Sequence, residues 1–411
     1  MKHIYLFCMQ SSGVVYGIGT YIQQLTEALK QEKDVSLNIV IYNSEESEFT
    51  IKKNEGVSTF YFPRINNQFN YPHSQFESAY CRNICFLLNR HIRLEPSDQL
   101  IFHLNYYEEN ICIPYFKKEF PDCKVIFTVH YQRWCFLLNG NTTCFKKLIH
   151  QKQDILSYNE KLILASYQSE KNALYAVDKI ICLAEFTKNI LIEDYQVVPE
   201  KVEVIYNGLK DEGKILSQKE KGELRKKMSF SKEELLILFV GRLDQTKGLH
   251  ILIQAFKIIL NTYTQARLII VGDGNYNLFL KECKDYWKKI TFTGRLDRQA
   301  VYEFYQIADT AVIPSFNEQC SYVAIEMMMF GIPLVISTST GLSEMIDDKF
   351  NPVKVNVLEN ETSGTILPDE LATKIIAALR DKKQQNNMRR NYLKKFLPSE
   401  MGKRYINLLN Q

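Results

Sequence analysis

Ile313-Pro314-Ser315-Phe316-Asn317-Glu318-Gln319-Cys320-Ser321-Tyr322-Val323-Ala324-Ile325-Glu326-Met327-Met328-Met329-Phe330-Gly331-Ile332-Pro333 reads as a strand end, a polar loop, an apolar helix and the approach to a second strand. The flanking runs, 310–313 and 333–336, are short and apolar, as strands buried on both faces require. Ala324, Met327 and Met328 mark a buried helix face, so Glu326 is held among apolar neighbours while Glu318 sits on the loop.

The same alternation extends outward. Apolar runs at 39–41, 100–102, 124–129, 179–183, 202–205, 235–240 and 267–271 are separated by amphipathic helical stretches, the pattern of parallel sheets covered by helices. The first eight residues form a further buried strand, too short to be the apolar core of a signal peptide. A chain of 411 residues with 45% apolar content exceeds what one core serves, which implies two doubly wound α/β domains. A charged, core-poor segment at 210–234 follows Asn207-Gly208 and marks their junction. The expected division is 1–206 for the first domain, 207–388 for the second, and 389–411 as a helical segment returning to the first. Ligands of such sheets bind at the carboxyl ends of the strands, so an inter-domain cleft would face both sets of loops.

Composition excludes several classes. With 51 basic and 47 acidic residues the formal net charge is +4, too balanced for a broad nucleic-acid-binding surface. The ten cysteines show no paired CxxC spacing, and Cys81 and Cys85, one helical turn apart, have no second ligand pair. They read as reduced thiols in a cytoplasmic protein, and no metal site is expected. No run approaches the roughly 18 to 20 apolar residues of a bilayer span.

Candidate chemistry lies on the loops. After the first strand, the stretch from Ser11 to Thr20 contains Gly13, Gly17 and Gly19, and Tyr21, Leu25 and Leu29 then share one helical face. Such a loop can offer N–H groups and a dipole end to an anion, though alone it equally reads as a tight turn. In the second half, a strand ending at Val240 delivers Gly241, Arg242 and Lys247 to one loop before a helix from Leu249. A forked guanidinium and a point charge suit a diphosphate and the charge that grows on it as it departs. Gly272-Asp273-Gly274 and Thr293-Gly294-Arg295-Leu296 follow two more strands. Backbone at Gly294 and Leu296 could read a base edge, with a plain turn as the equal alternative. The carboxylate of Glu326 needs hydrogen bonds among its apolar neighbours, and a ribose diol or pair of sugar hydroxyls supplies them. Backbone N–H groups from Gln319 through Cys320 and Ser321 to Tyr322 open the helix and can meet a phosphate.

These blocks resemble the large group of retaining glycosyltransferases of GT-B fold known as family 4, or glycosyl transferases group 1. The resemblance spans nearly the whole chain through Gly17-Ile18-Gly19, Thr128-Val129-His130, Asn207-Gly208, Gly241-Arg242-Leu243, Lys247-Gly248, Gly272-Asp273-Gly274, Glu318 and Glu326. It implies that Arg242 and Lys247 bind the donor diphosphate, Glu326 the ribose and Glu318 the donor sugar. His130 matches a histidine at the reacting centre, and His103 a second position near it. The reaction implied retains anomeric configuration, moves a hexose-type sugar from a nucleotide-diphosphate sugar to an acceptor hydroxyl, and uses no metal or other cofactor. The chain contains no Asp-x-Asp triplet, in keeping with cations replacing a metal. It departs from the family at Cys320-Ser321-Tyr322, where Phe-Gly is frequent, at Asn207-Gly208-Leu209-Lys210, and at Thr340-Gly341.

The acceptor, whether glycan, lipid-linked or peptide, is expected on the first domain, near the aromatic and polar segment 66–93 or the segment 134–152. There Lys146, Lys147 and Lys152 could touch anionic lipid heads at the inner membrane face, or simply solvate a buried helix. Rival readings are a nucleotide-sugar epimerase of the same fold and a non-catalytic nucleotide-sugar-binding scaffold.

Overall fold

Strands form where the apolar runs lie, because a strand covered on both faces needs an apolar side chain at every position rather than at every second one. The computed structural model describes residues 1–9, 17–64, 73–150, 156–381 and 383–411, with the backbone alone at 73–76. Residues 11–16 of the expected glycine loop, residues 66–72 of the aromatic segment and Lys152 lie outside the described residues. Contacts divide the chain into two units.

The first unit comprises Met1–Gln132, Ala165–Gly208 and Pro398–Gln411. Its strands are β1 (Lys2–Met9), β2 (Val35–Ser44), β3 (Thr50–Asn54), β4 (Val57–Pro63), β5 (Gln99–Leu104), β6 (Lys124–Val129), β7 (Lys179–Cys182) and β8 (Val202–Val204). They form one sheet of order β3-β4-β2-β1-β5-β6-β7-β8, parallel throughout except for the β3–β4 hairpin. That hairpin turns on Glu55 and Gly56, both at positive φ, which matches the twist of the strands it joins. The helix Gly17–Leu29 buries Tyr21, Ile22, Leu25 and Leu29. The terminal helix Pro398–Leu409 packs on it, with Gly402 allowing close approach to Ala28.

The second unit comprises Arg133–Leu164 and Leu209–Leu397. Its strands β9 (Leu235–Val240), β10 (Ala266–Val271), β11 (Ile290–Gly294), β12 (Thr310–Ile313), β13 (Leu334–Ser337) and β14 (Val353–Val355) form an all-parallel sheet of order β11-β10-β9-β12-β13-β14. A small antiparallel pair, β15 (Leu358–Glu359) with β16 (Gly364–Thr365), lies outside it. The helix Leu249–Leu260 buries seven apolar side chains against the main sheet. The charged segment after Leu209 contains the helix Gln218–Lys227, started by a capping box of Ser217 and Glu220. It is tethered where buried Arg225 bonds Asp309 at 2.6 Å and the carbonyl of Ile307.

These units divide the chain differently from the expected 206/207 and 388/389 boundaries. Residues 133–164 group with the second unit, where Asn141 Nδ2 donates to the Asn360 carbonyl and Lys147 pairs with Glu361. The helix Gln384–Lys395 also stays there, with Asn391 Nδ2 donating to the Met345 carbonyl at 2.9 Å. Pro398 then starts the helix that joins the first unit. Among the described residues no helix is long and apolar enough to cross a membrane.

Candidate functional site

In the second unit, β9, β10 and β11 lead into Gly241, Gly272 and Gly294, and their ladder continues past the strand ends. Gly241 N–H donates to the Val271 carbonyl, Gly272 N–H to that of Gly294, and Leu243 N–H to that of Asp273. Glycine is required at 272: φ is +146°, and a Cβ there would stand 1.8 Å from the Gly241 oxygen. Gly248, at φ +66°, likewise brings the loop from β9 against the exit of β12, where a Cβ would meet the Pro314 oxygen at 2.0 Å. The Phe316 N–H donates to the Thr246 carbonyl and ties the same two loops together.

That approach places Lys247 against Glu318. Lys247 Nζ lies 2.6 Å from Glu318 Oε1, and the side chains are only 19% and 13% exposed. Ser315 Oγ donates to the same oxygen at 3.0 Å. The backbone of Glu318 is also held, since its N–H donates to Thr340 Oγ1 and its carbonyl accepts from the Thr340 hydroxyl and the Gly341 N–H. A buried ion pair of this kind is expensive to leave half-made, so whatever displaces one partner must satisfy the other.

Arg242 is arranged differently. Its side chain is 54% exposed and Nη2 lies 3.2 Å from Asp244 Oδ2. The two cations expected to act together therefore hold different carboxylates: Lys247 that of Glu318, Arg242 that of its own loop.

Glu326 lies on the helix Tyr322–Met329, which Ser321 caps by accepting from the Ala324 N–H. Its Oε2 accepts from the Tyr305 hydroxyl at 2.8 Å. Burial raises its carboxyl above the usual range, opposed by the Tyr305 bond and the Arg298 charge. Arg298 Nη2 in turn lies 3.2 Å from Glu212 Oε2, which also accepts from Tyr302. Cys320 and Ser321 are buried, while Tyr322 and Leu296 are half-buried. The Ser321 N–H donates to Met345 Sδ, so this amide is already engaged.

In the first unit, His130 follows β6 and His103 lies on neighbouring β5. His103 is fully buried and both ring nitrogens are engaged, Nδ1 with the Tyr405 hydroxyl at 2.8 Å and Nε2 with Thr128 Oγ1 at 2.7 Å. Its saturation makes it a structural joint between sheet and terminal helix. His130 is half-buried, with Nε2 2.9 Å from Asn105 Oδ1 and its ring against Tyr21 at 4.6 Å and 80°. Burial pushes both imidazoles down to about 3, so both are neutral near pH 7. Gly17 and Gly19 form the first turn of the helix that carries Tyr21.

Residue types and spacing in the sequence pointed to Lys247, Glu318 and Glu326, and the family resemblance to His130, but not to their partners. Tyr305 and Asn105 carry no motif, Thr340 stands out only as a departure from the family pattern, and only placement reveals all three as partners.

Residues 15–212 match the family described as Glycosyltransferase Family 4, and residues 220–395 the family described as Glycosyl transferases group 1. The chain is 33% identical over 202 residues to an uncharacterized glycosyltransferase of Methanocaldococcus jannaschii, covering 46% of this chain and 52% of that protein. It is 28% identical over 207 residues to the alpha-monoglucosyldiacylglycerol synthase of Streptococcus pneumoniae, covering 49% and 46%. The chain thus spans about half the length of these curated relatives. In fold it is similar to sucrose-phosphate synthase from Thermosynechococcus elongatus, with TM-score 0.72, 17% identity, and coverage of 100% of this chain and 99% of that one. It is also similar to Anabaena HepE, solved in complex with UDP-glucose, with TM-score 0.67, 15% identity, and coverage of 100% and 99%. The chain therefore has the GT-B fold, and it is similar to Glycosyltransferase Family 4 over residues 15–212 and to Glycosyl transferases group 1 over residues 220–395.

Proposed function

We propose that this protein is a retaining, metal-independent glycosyltransferase that moves a hexose-type sugar from a nucleotide-diphosphate donor to an acceptor hydroxyl. The observation that carries the reading is the Lys247–Glu318 pair, buried at the carboxyl ends of parallel strands beside three glycine-lined loops. The donor diphosphate takes Lys247 and Arg242, and Glu318, released from Lys247, turns to the sugar hydroxyls. Glu326, already hydrogen-bonded by Tyr305, accepts from the ribose diol. Backbone at Gly241, Gly272, Gly294 and Leu296 lies against the nucleotide, and His130 contacts the sugar.

In the step itself the anomeric carbon–oxygen bond to the diphosphate breaks and a bond to the acceptor oxygen forms on the same face. The leaving diphosphate takes the acceptor's proton, so no side-chain nucleophile is needed. Lys247 and Arg242 balance the charge that accumulates on the leaving group. HepE was solved with UDP-glucose, which makes UDP-glucose a rational first probe.

The test is calorimetry with UDP-, GDP- and ADP-sugars, followed by product release with and without EDTA. One nucleotide sugar is expected to bind and to be slowly hydrolysed at a rate EDTA does not change. Arg242→Ala is expected to weaken donor binding about tenfold or more, the scale of a lost charge-assisted contact. Unchanged donor affinity in Arg242→Ala, or an EDTA-abolished rate, would overturn the corresponding part. Epimerised nucleotide sugar as the product would replace the transferase reading.

A further inference from the structure

Just beyond β5 the amide of Asn105 faces two groups with opposite demands. Its Nδ2 lies 2.9 Å from the carbonyl oxygen of Phe7, which can only accept, so the NH2 group belongs on that side. Oδ1 is thereby turned to His130 Nε2, at 2.9 Å, and an amide oxygen can only accept. Nε2 must then carry the proton. A neutral imidazole has one such proton, which leaves the lone pair on Nδ1.

The amide has little freedom to turn over. Asn105 is 1% exposed, and its backbone is clamped because Glu109 Oε2 accepts the N–H of Asn105 at 2.6 Å and that of Tyr106 at 3.0 Å. Glu109 is itself 3% exposed. The Tyr21 ring, nearly perpendicular to His130, restrains the imidazole from its other side. No described residue hydrogen-bonds His130 Nδ1.

We propose that Asn105 is a positioning residue that fixes His130 as its Nε2–H tautomer, so that Nδ1 is the atom offered to a hydroxyl of the sugar substrate. The inference rests on the reading of His130 as a sugar contact. A chain of three elements carries it: the β1 carbonyl orients the amide, the amide sets the tautomer, and Glu109 holds the turn. His130 Nδ1 thus accepts a hydrogen bond from the hydroxyl while the ring stays neutral, and a ring protonated at Nδ1 would present a donor where an acceptor is needed.

The test is nitrogen-15 spectroscopy of the imidazole rings in the full chain at pH 7, with the His130 signals assigned by their loss in His130→Gln. A protonated Nε2 with an unprotonated Nδ1 is expected; the opposite tautomer, or an averaged mixture, overturns the proposal. Asn105→Ala should produce that mixture, whereas Asn105→Asp, which keeps an acceptor opposite Nε2, should keep the wild-type pattern. A wild-type pattern in Asn105→Ala also overturns it. With UDP-glucose as the probe donor, Asn105→Ala should lower kcat about 10- to 100-fold, as loss of a partner that orients a histidine does, with KM little changed. A change in KM alone counts against it. Absence of UDP-glucose turnover by the wild type would count against the donor reading, while the ring spectra would still decide the tautomer.

Discussion

Around His130 the ionisable groups are kept neutral, whereas around Lys247 opposite charges are kept and paired. Burial lowers His103 and His130 to about 3 and raises Glu109 to about 8, so near pH 7 the two imidazoles are uncharged and the Glu109 carboxyl largely protonated. Lys247 and Glu318 are also mostly buried, yet each carries the other's counter-charge at 2.6 Å. The same cost, desolvation, is met by neutralisation in the first unit and by pairing in the second. A neutral cluster can orient hydroxyls without attracting ions. A paired cluster is prepared for exchange, because an incoming phosphate can take the place of one carboxylate.

The contrast breaks most severely at Gly272. Gly272→Ala places a methyl group against the Gly241 oxygen at a backbone φ that alanine rarely adopts, and should destabilise the second unit by more than about 3 kcal/mol in a denaturant titration. Unchanged stability would mean that the loops at β9 and β10 are not stacked as described. Removing one charge tests the pairing itself. Lys247→Ala leaves Glu318 largely buried and unpaired and should cost about 2 to 3 kcal/mol, below the full cost for a deeply buried pair because both groups retain some solvent contact. Adding Glu318→Gln should recover part of that loss, and strictly additive losses would show that the pair is uncoupled.

The neutral cluster is sharpened by pH. Glu109 is raised from its ordinary 4.5 to about 8, so its stabilising contribution is complete below about pH 4.5 and is lost as pH rises through about 8. His103 and His130 are lowered from 6.5, so theirs is complete above about pH 6.5 and is lost as pH falls toward about 3. These three groups together give greatest stability near pH 6.5, with a limiting slope of about 1.4 kcal/mol per pH unit for each titrating group. Thermal melts across pH 5 to 8 should show that maximum, and Glu109→Gln should flatten its alkaline side. If the alkaline slope survives in that variant, Glu109 is not its source.

The smallest expected effect falls between the two extremes. Tyr305→Phe removes the hydroxyl that hydrogen-bonds Glu326 and should cost about 1 kcal/mol. It should also raise the Glu326 carboxyl further, so the pH dependence of nucleotide affinity should move to higher pH in the variant. A pH-independent change in affinity would remove Glu326 protonation from the account.

The apolar runs made most of the sheet legible, because strands buried on both faces leave a continuous signature. The β3–β4 hairpin escaped that reading, since Lys52, Lys53 and Asn54 are exposed and an edge strand needs charge to deter further pairing. The same reasoning picked out Lys247 and Glu318 individually, 71 residues apart, without showing that they bond to each other. It also paired Lys247 with Arg242, which the structure gives a different carboxylate. Asn105 was invisible: its meaning depends on a carbonyl 98 residues earlier in the chain.

Residue order alone determined the two α/β sheets, the glycine-lined strand exits and the side-chain types available at them, because apolar periodicity and backbone requirements are local. Tertiary structure decided which carboxylate each cation meets, how many ring nitrogens of each histidine are bonded among the described residues, and which groups remain charged. Those outcomes depend on burial and on hydrogen-bond partners brought together from distant parts of the chain. His103 and His130 both belong to apolar strand sequence, yet only folding engages both ring nitrogens of His103 and, among the described residues, only Nε2 of His130.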